Sequence, residues 1–440
     1  MTRRIHRLKG FARLSLAASI VVIMVSAGAA HATTFYVSAL TGKDTNNGKK
    51  PTTPFKTIGA AVNSSKFSSG DTIMVMPGTY TENVELGVAG TATAYTTLMA
   101  QTGAARPVIT GGPTLPNSSA GGAIAILAPY IRVVGFDVSW SGVGDAITVW
   151  GPTAPDGNGV IRPSVHHLDI ENNIGHDSGC GGVDVANADY VTVKGNVVYN
   201  NSNTAPNQCS GISLYELTDF DSGTGFRNVI ADNLSYANIN DVPVPGETYT
   251  TDGNGVIIDD SRHTQSDNAA YHGATLIYGN IVTNNGGAGI TTFESDNVTI
   301  ANNTTYENQT STTLQDLAGE LSAESSGAIT FVNNIAYSSG SALPVWIDQN
   351  TTNDSWDYNL STGGSYSTQS STNLTIGTHN QAAVDPQFVT PSTNPSTANF
   401  QLQSTSPALG AGLALGFSET DYAGATLPTG QSPNLGAYTQ

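Results

Sequence analysis

Six short segments of this chain repeat one pattern: ENNIGHDSG, KGNVVYNNS, ADNLSYANI, YGNIVTNNG, ANNTTYENQ and VNNIAYSSG. Their aligned asparagines are Asn173, Asn196, Asn233, Asn280, Asn303 and Asn334, and two of the intervals are 23 residues. The remaining intervals of 37, 47 and 31 residues read as one or more turns of the same length with insertions. A fixed period in the twenties signals a solenoid. Strand-like triplets, the lack of a helical period and the recurrent Asn narrow this to a parallel β-helix. Asparagines stacked in one column would hydrogen-bond along the axis, as in other cross-strand ladders. A leucine-rich repeat needs a Leu spacing that is absent.

A second column lies between the asparagines, in DAITVW, GGVDVAN, SGISLYE, NGVIIDD and AGITTFE. Aligned on the first inward apolar residue, it contains Ile147, Val183, Ile212, Val256 and Ile290. Alternation along a strand turns Asp184, Ser213, Ile257 and Thr291 outward. The next outward set is Trp150, Ala186, Tyr215, Asp259 and Phe293. Gly151, Asn187, Glu216, Asp260 and Glu294 follow at the strand ends. The same alignment brings Cys180 and Cys209, the only cysteines, to one column of neighbouring coils. The strand spacing of about 4.8 Å suits a disulfide, and two unpaired buried thiols are the alternative.

The first 32 residues have a basic start, an apolar stretch and an Ala-His-Ala ending. That is the pattern of a bacterial-type signal peptide cleaved after Ala32, and no later run is long and apolar enough to span a membrane. The expected product is secreted, periplasmic or extracellular. Five of the 16 Lys and Arg residues and none of the 34 acidic ones lie in this leader, so the mature chain has a formal charge of −23. Such a surface repels phosphate backbones and argues against nucleic acid as a partner. The rest, 33–440, reads as one all-β domain and gives no sign of an oligomer. Residues 33–70 form an N-terminal cap with a short amphipathic helix in PFKTIGAAVNSSK, 71–360 the coils, and 361–440 the last coils and a closing segment.

The opening FYVSALTGKDTNNG…PFKTIGAAV…GDTIMVMPGTYTENV, the repeats and the ending DPQF…FQLQSTSPALGAG resemble the right-handed parallel β-helix proteins of the pectate-lyase-like superfamily. They look most like its calcium-dependent family nine pectate lyases. The resemblance covers nearly the whole mature chain. It implies a right-handed solenoid and points toward cleavage of an acidic polysaccharide, although this scaffold carries several chemistries.

The stretch TDGNGVIIDDSRH is the candidate site. Asp252 lies in an approach turn, Asp259 points outward and Asp260 ends the strand. Glu216 and Glu294 flank Asp260 on neighbouring coils, and Asp184 lies farther along the same face. Carboxylates this close raise one another's pKa unless a cation sits among them. Ca2+ accepts such irregular all-oxygen sets, and His and Cys are too sparse for zinc. Solvated turn and strand-end acids are the plainer reading. In lyases of the resembled type, calcium neutralises the substrate carboxylate and a Lys or Arg removes the neighbouring proton. Basic residues are scarce here. Beyond Ile170 only Lys194, Arg227 and Arg262 remain besides histidines. Arg262 is the first candidate base and equally a candidate structural partner of Asp259 or Asp260; His263, His272, Tyr215 and Lys194 are alternatives, though the column of Lys194 points to another face, and Arg227 reads as a loop residue. The family's lysine on a coil after the aspartates has no counterpart. Tyr215, Phe293 and Trp150 are candidate sugar-stacking residues. A glycoside hydrolase using Asp252, Asp259 and Asp260, a C5-epimerase and a non-catalytic polysaccharide-binding protein stay open.

Overall fold

The computed structural model describes residues 32–439 except 113–120, 152–163, 316–318, 341, 364–366, 369–373, 418–419 and 427–429. The leader expected at 1–32 lies, up to His31, outside the described residues. From Ala32 onward the chain is one contact unit. It winds through three long parallel sheets of 12, 10 and 11 strands. Successive strands of a coil pass to successive sheets, and each pairs with its counterpart one coil away, which makes a parallel β-helix.

The registers match the alignment read from sequence. Ile147, Val183, Ile212, Val256 and Ile290 pair in series along the ten-stranded sheet, as do Val149, Val185, Leu214, Ile258 and Thr292. These side chains are buried and form one continuous interior with the inward residues of the other two sheets. The six asparagines form the expected ladder. Each Nδ2 and backbone N–H donates to the Oδ1 of the asparagine one coil on, as from Asn196 to Asn233 at 3.0 and 2.8 Å. The ladder extends beyond the recognised repeats to Asn359 and Asn380.

A second ladder runs five residues behind the first, through Asn201, Asn238, Asn285 and Asn308. It ends on Glu320, whose carboxylate accepts from the Asn308 N–H and Nδ2 at 2.8 and 2.6 Å. Four of the repeats carry this asparagine, so the signal was present in sequence but unused. Buried amides that satisfy one another hold each corner without leaving unpaired polar groups.

The helix covers only Ile58–Val62, capped by Thr57 Oγ1 on the Ala60 N–H and by Glu82 on the Ile58 and Gly59 N–H groups. Thr34–Val37, placed in the cap by the sequence, is already a strand paired with Thr72–Val75. At the other end, the antiparallel pair Phe388–Thr390 and Asn399–Leu402 does not plug the barrel. It lies with the C-terminal tail on the outer face of the eleven-stranded sheet, where Phe388, Phe400 and Leu435 bury Ile281, Ile335 and Leu360. Those outward apolar residues would otherwise face water, so the flank rather than the end needs covering.

Candidate functional site

The outer face of the ten-stranded sheet forms the floor of a cavity of about 720 Å³. One wall is built by the segments leading into the strands, which include Asp145, Cys209, Gln208 and Asp252; Gln265 approaches from the segment leaving the sheet. Asp145, Asp184, Asp252, Asp259 and Glu324 line it, and among the described residues no Lys, Arg or His does.

Each wall residue is held by its neighbours. Cys180 and Cys209 form a disulfide with Cα atoms 5.2 Å apart, as the column alignment anticipates. Cys209 O accepts from Gly253 N at 2.9 Å, and Asn240 Nδ2 donates to Thr251 O at 2.6 Å. These bonds suspend Asp252 beside the sheet. Asp252 and Gly253 both take left-handed backbone angles, with φ of 49° and 72°. Gly287 must be glycine, because a Cβ there would lie 2.3 Å from Asp252 O. Asp252 accepts from Asn254 Nδ2 at 3.0 Å and from Thr251 Oγ1 at 3.1 Å.

The electrostatics follow from burial and crowding. Burial pushes the Asp184 and Asp252 carboxyls up to about 6. Asp259 is raised well above the usual range by burial, then by the charges of Asp252, Asp260, Asp184 and Glu294. Asp145 is raised by burial and by Asp184. Two polar atoms of the floor, Asp259 Oδ1 and Thr291 Oγ1, are buried without a hydrogen-bond partner among the described residues. Such atoms are costly unless something polar meets them.

The structure divides the acidic set expected from sequence. Asp184, Asp252 and Asp259 line the cavity, but Asp260, Glu216 and Glu294 do not. These last three occupy the corner at which the strands leave the sheet, with φ of 44°, 45° and 45°, in a column continued by Asn187 and Ser325. Their place reflects the turn, where one left-handed residue redirects the chain. The buried Asp260 carboxylate accepts from the Thr264 and Gln265 N–H groups at 2.7 and 2.9 Å. Glu216 accepts from the Tyr215 hydroxyl at 3.0 Å, and Glu294 from the Thr264 hydroxyl. Among the described residues, no three His, Cys, Asp or Glu side chains are close enough together to form a ready metal site.

The candidate bases are also engaged elsewhere. Arg262 makes a two-pronged ion pair with Asp296 at 3.0 and 2.6 Å and donates to Ser325 O. Buried His263 bonds Leu217 O through Nε2 at 2.7 Å and Ser266 Oγ through Nδ1 at 3.1 Å. Lys194 lies on the twelve-stranded sheet, 3.3 Å from Asp232. His272 bonds Asp219 at 2.7 Å. Arg227, read as a loop residue, belongs to the strand Phe226–Ala231 and is buried against Asp189 and Asp219. Tyr215, Phe293 and Trp150 do line the cavity. Asp145, Asn254, Gln208 and Gln265 do too and were missed. Asp145 and Asn254 stand two residues before Ile147 and Val256, so extending the alignment by two positions would have found them.

No family model and no curated protein matches the chain. Solved structures do. The pectate lyase Pel9A aligns over 93% of this chain and 96% of its own, with TM-score 0.56 and 19% identity. This chain has the pectate-lyase-like β-helix fold. A rhamnogalacturonan lyase aligns over 84% of this chain and 97% of its own, with TM-score 0.50 and 14% identity. A glycoside hydrolase aligns over 80% and 96%, with TM-score 0.50 and 9% identity. At these identities the shared property is the pectate-lyase-like scaffold, on which both lyases and a hydrolase occur. No helix among the described residues is long and apolar enough to cross a membrane.

Proposed function

We propose that this protein cleaves an acidic, uronate-containing polysaccharide in the cavity on the ten-stranded sheet, by calcium-assisted β-elimination. The observation that carries this reading is the convergence of Asp184, Asp252 and Asp259 on one cavity that no Lys, Arg or His among the described residues lines, with Asp259 Oδ1 buried and without a hydrogen-bond partner among them. Unopposed carboxylates of this kind suit an all-oxygen cation site completed by water and substrate. Asp184, Asp252 and Asp259 would hold Ca2+, together with water and substrate oxygens. When bound, calcium neutralises the substrate carboxylate and stabilises the negative charge that develops as the neighbouring proton leaves. It also reverses the local sign, which a polyanion meeting a −23 chain requires.

Tyr215, whose hydroxyl is kept protonated by burial and Glu216, is suited to hydrogen-bond the substrate rather than take its proton. The leader and the disulfide support action outside the cytoplasm.

One observation favours a second reading. The cavity combines carboxyls pushed up to about 6 with no lining Lys, Arg or His among the described residues, which suits a carboxylic acid and carboxylate pair acting in hydrolysis. The product decides between them. Elimination leaves an unsaturated sugar that absorbs in the ultraviolet, and hydrolysis does not. Pectate, alginate and other uronate polymers are incubated with the mature protein, with calcium and with chelator. Calcium-dependent absorbance lost in Asp259→Ala supports elimination, and reducing ends without absorbance support hydrolysis.

A further inference from the structure

The outward side chains of the ten-stranded sheet form two rows that run along the solenoid axis. One is Trp150, Ala186, Tyr215, Asp259, Phe293, Glu324, each paired in register with the next. The other is Thr148, Asp184, Ser213, Ile257, Thr291, Ser322. In the first row a ring recurs on every second coil, at Trp150, Tyr215 and Phe293. Ala186 and Asp259 fill the coils between. From Thr148 to Ser322 the second row has no ring, and Trp346 follows only on the next coil, outside the cavity lining. Trp150 is 41% exposed although it is the largest side chain of the row, and all three rings line the cavity together with Asp259.

Strands of one sheet stand about 4.8 Å apart, so the rings recur at about 9.6 Å and the row from Trp150 to Phe293 spans about 19 Å. One pyranose unit of an extended chain advances by about one strand spacing. A glycan lying across the strands would therefore meet a ring at every second sugar. Aromatic rings take the apolar C–H faces of sugars and leave the hydroxyls to the polar wall. No Lys, Arg or His among the described residues lines the cavity, so on this face apolar contact and hydroxyl hydrogen bonding hold the sugars away from Asp259.

We infer that the cavity binds an extended linear glycan running along the solenoid axis, about five sugars long, with alternate units resting on Trp150, Tyr215 and Phe293 and the reacting link on the Asp259 coil between the last two. This deepens the proposed function by fixing the direction, length and subsites of the chain, and it rests on that reading only for the chemistry at Asp259. Trp150 is then a remote subsite that short ligands do not reach, and Phe293 a near one that all ligands touch.

The test is titration calorimetry of linear galacturonate, alginate and xylose oligosaccharides of two to six units against wild type, Trp150→Ala, Trp150→Phe and Phe293→Ala, with calcium. Melting temperatures check folding. The expected result is a series whose affinity rises with length to about five units. Trp150→Ala weakens the five-unit ligand roughly five- to tenfold and leaves the two-unit ligand unchanged. Phe293→Ala weakens both, and Trp150→Phe restores most of the loss. Affinity that is flat with length, or a Trp150→Ala loss equal at every length, overturns the inference alone. Length-dependent binding without turnover of the parent polymer leaves the inference standing and removes the proposed chemistry. No binding by any series overturns both.

Discussion

Gln208 Oε1 accepts a hydrogen bond from Thr251 N at 2.8 Å, joining the residue beside the disulfide to the residue beside Asp252. The wall of the cavity is thus a chain of dependencies from Cys180–Cys209 through Gln208 to a proposed cation ligand.

Reducing that disulfide, or replacing both cysteines with serine, should therefore do two things. Loss of a cross-link separated by 29 residues costs about 3–4 kcal/mol on a loop-entropy account, read as a lower melting temperature. Calcium should also bind more weakly because Asp252 is no longer held. Gln208→Ala separates the effects, weakening calcium binding several-fold while costing only about 1 kcal/mol of stability. Equal calcium affinity in all three proteins would exclude the dependency.

The cavity carboxylates predict a pH dependence that calcium abolishes. Asp184 and Asp252 are raised to about 6 in the folded protein, above their unfolded values near 4. The folded state holds the extra protons, so in chelator this stability is complete below about pH 4 and is lost as pH rises through about 6. Melting temperatures in chelator should fall across that window and recover with calcium. Asp259→Asn should melt higher than wild type in chelator and gain less from calcium.

Glu320 makes a second, calcium-independent contribution of the same sign. Burial raises it to about 8, while the bonds from Asn308 pull the other way. Its stabilising protonation is lost as pH rises from about 4.5 through about 8. Comparing thermal melts of wild type and Glu320→Gln in saturating calcium isolates it. The variant should show the shallower decline toward pH 8.

Asn233→Ala tests the ladder. The side chain donates to Val193 O and Asn280 Oδ1, both at 2.9 Å, and accepts from Asn196 N and Nδ2. Truncation strands several buried groups at about 1–3 kcal/mol each. Chemical denaturation should show a loss of about 3 kcal/mol or more, far above that of an exposed Asn→Ala change.

Most of the scaffold was legible because a solenoid repeats its own evidence. Once Asn173 and Asn196 set a period, every later coil could be aligned, and Val256, Asp259 and Cys209 fell into place with it. The site was legible only in part. Asp184, Asp252 and Asp259 share one cavity, whereas Asp260, Glu216 and Glu294 were grouped with them because neighbouring positions along a strand end look alike in one dimension. A left-handed corner residue and an outward floor residue are adjacent in sequence yet face different surroundings. Arg262 was placed beside the acidic pair for a related reason. Proximity to Asp260 in sequence suggested a shared site, whereas the ion pair with Asp296 forms across a coil, which no local pattern reports. Where the closing segment packs could not be read locally, because its partners, Ile281, Ile335 and Leu360, lie on separate coils.

The asparagine ladder also makes the length of this protein a matter of whole turns. Asn233 meets Asn280 in the same geometry that Asn280 offers Asn303, so a 23-residue unit from Asn280 to Asn302 is flanked by identical junctions. Coils can be gained or lost as cassettes while the corner chemistry reseals. Insertions between rungs leave it equally undisturbed. An architecture of this kind separates the inheritance of the scaffold from the inheritance of the groove, and lets the loops around the acidic floor diversify while the axis stays fixed.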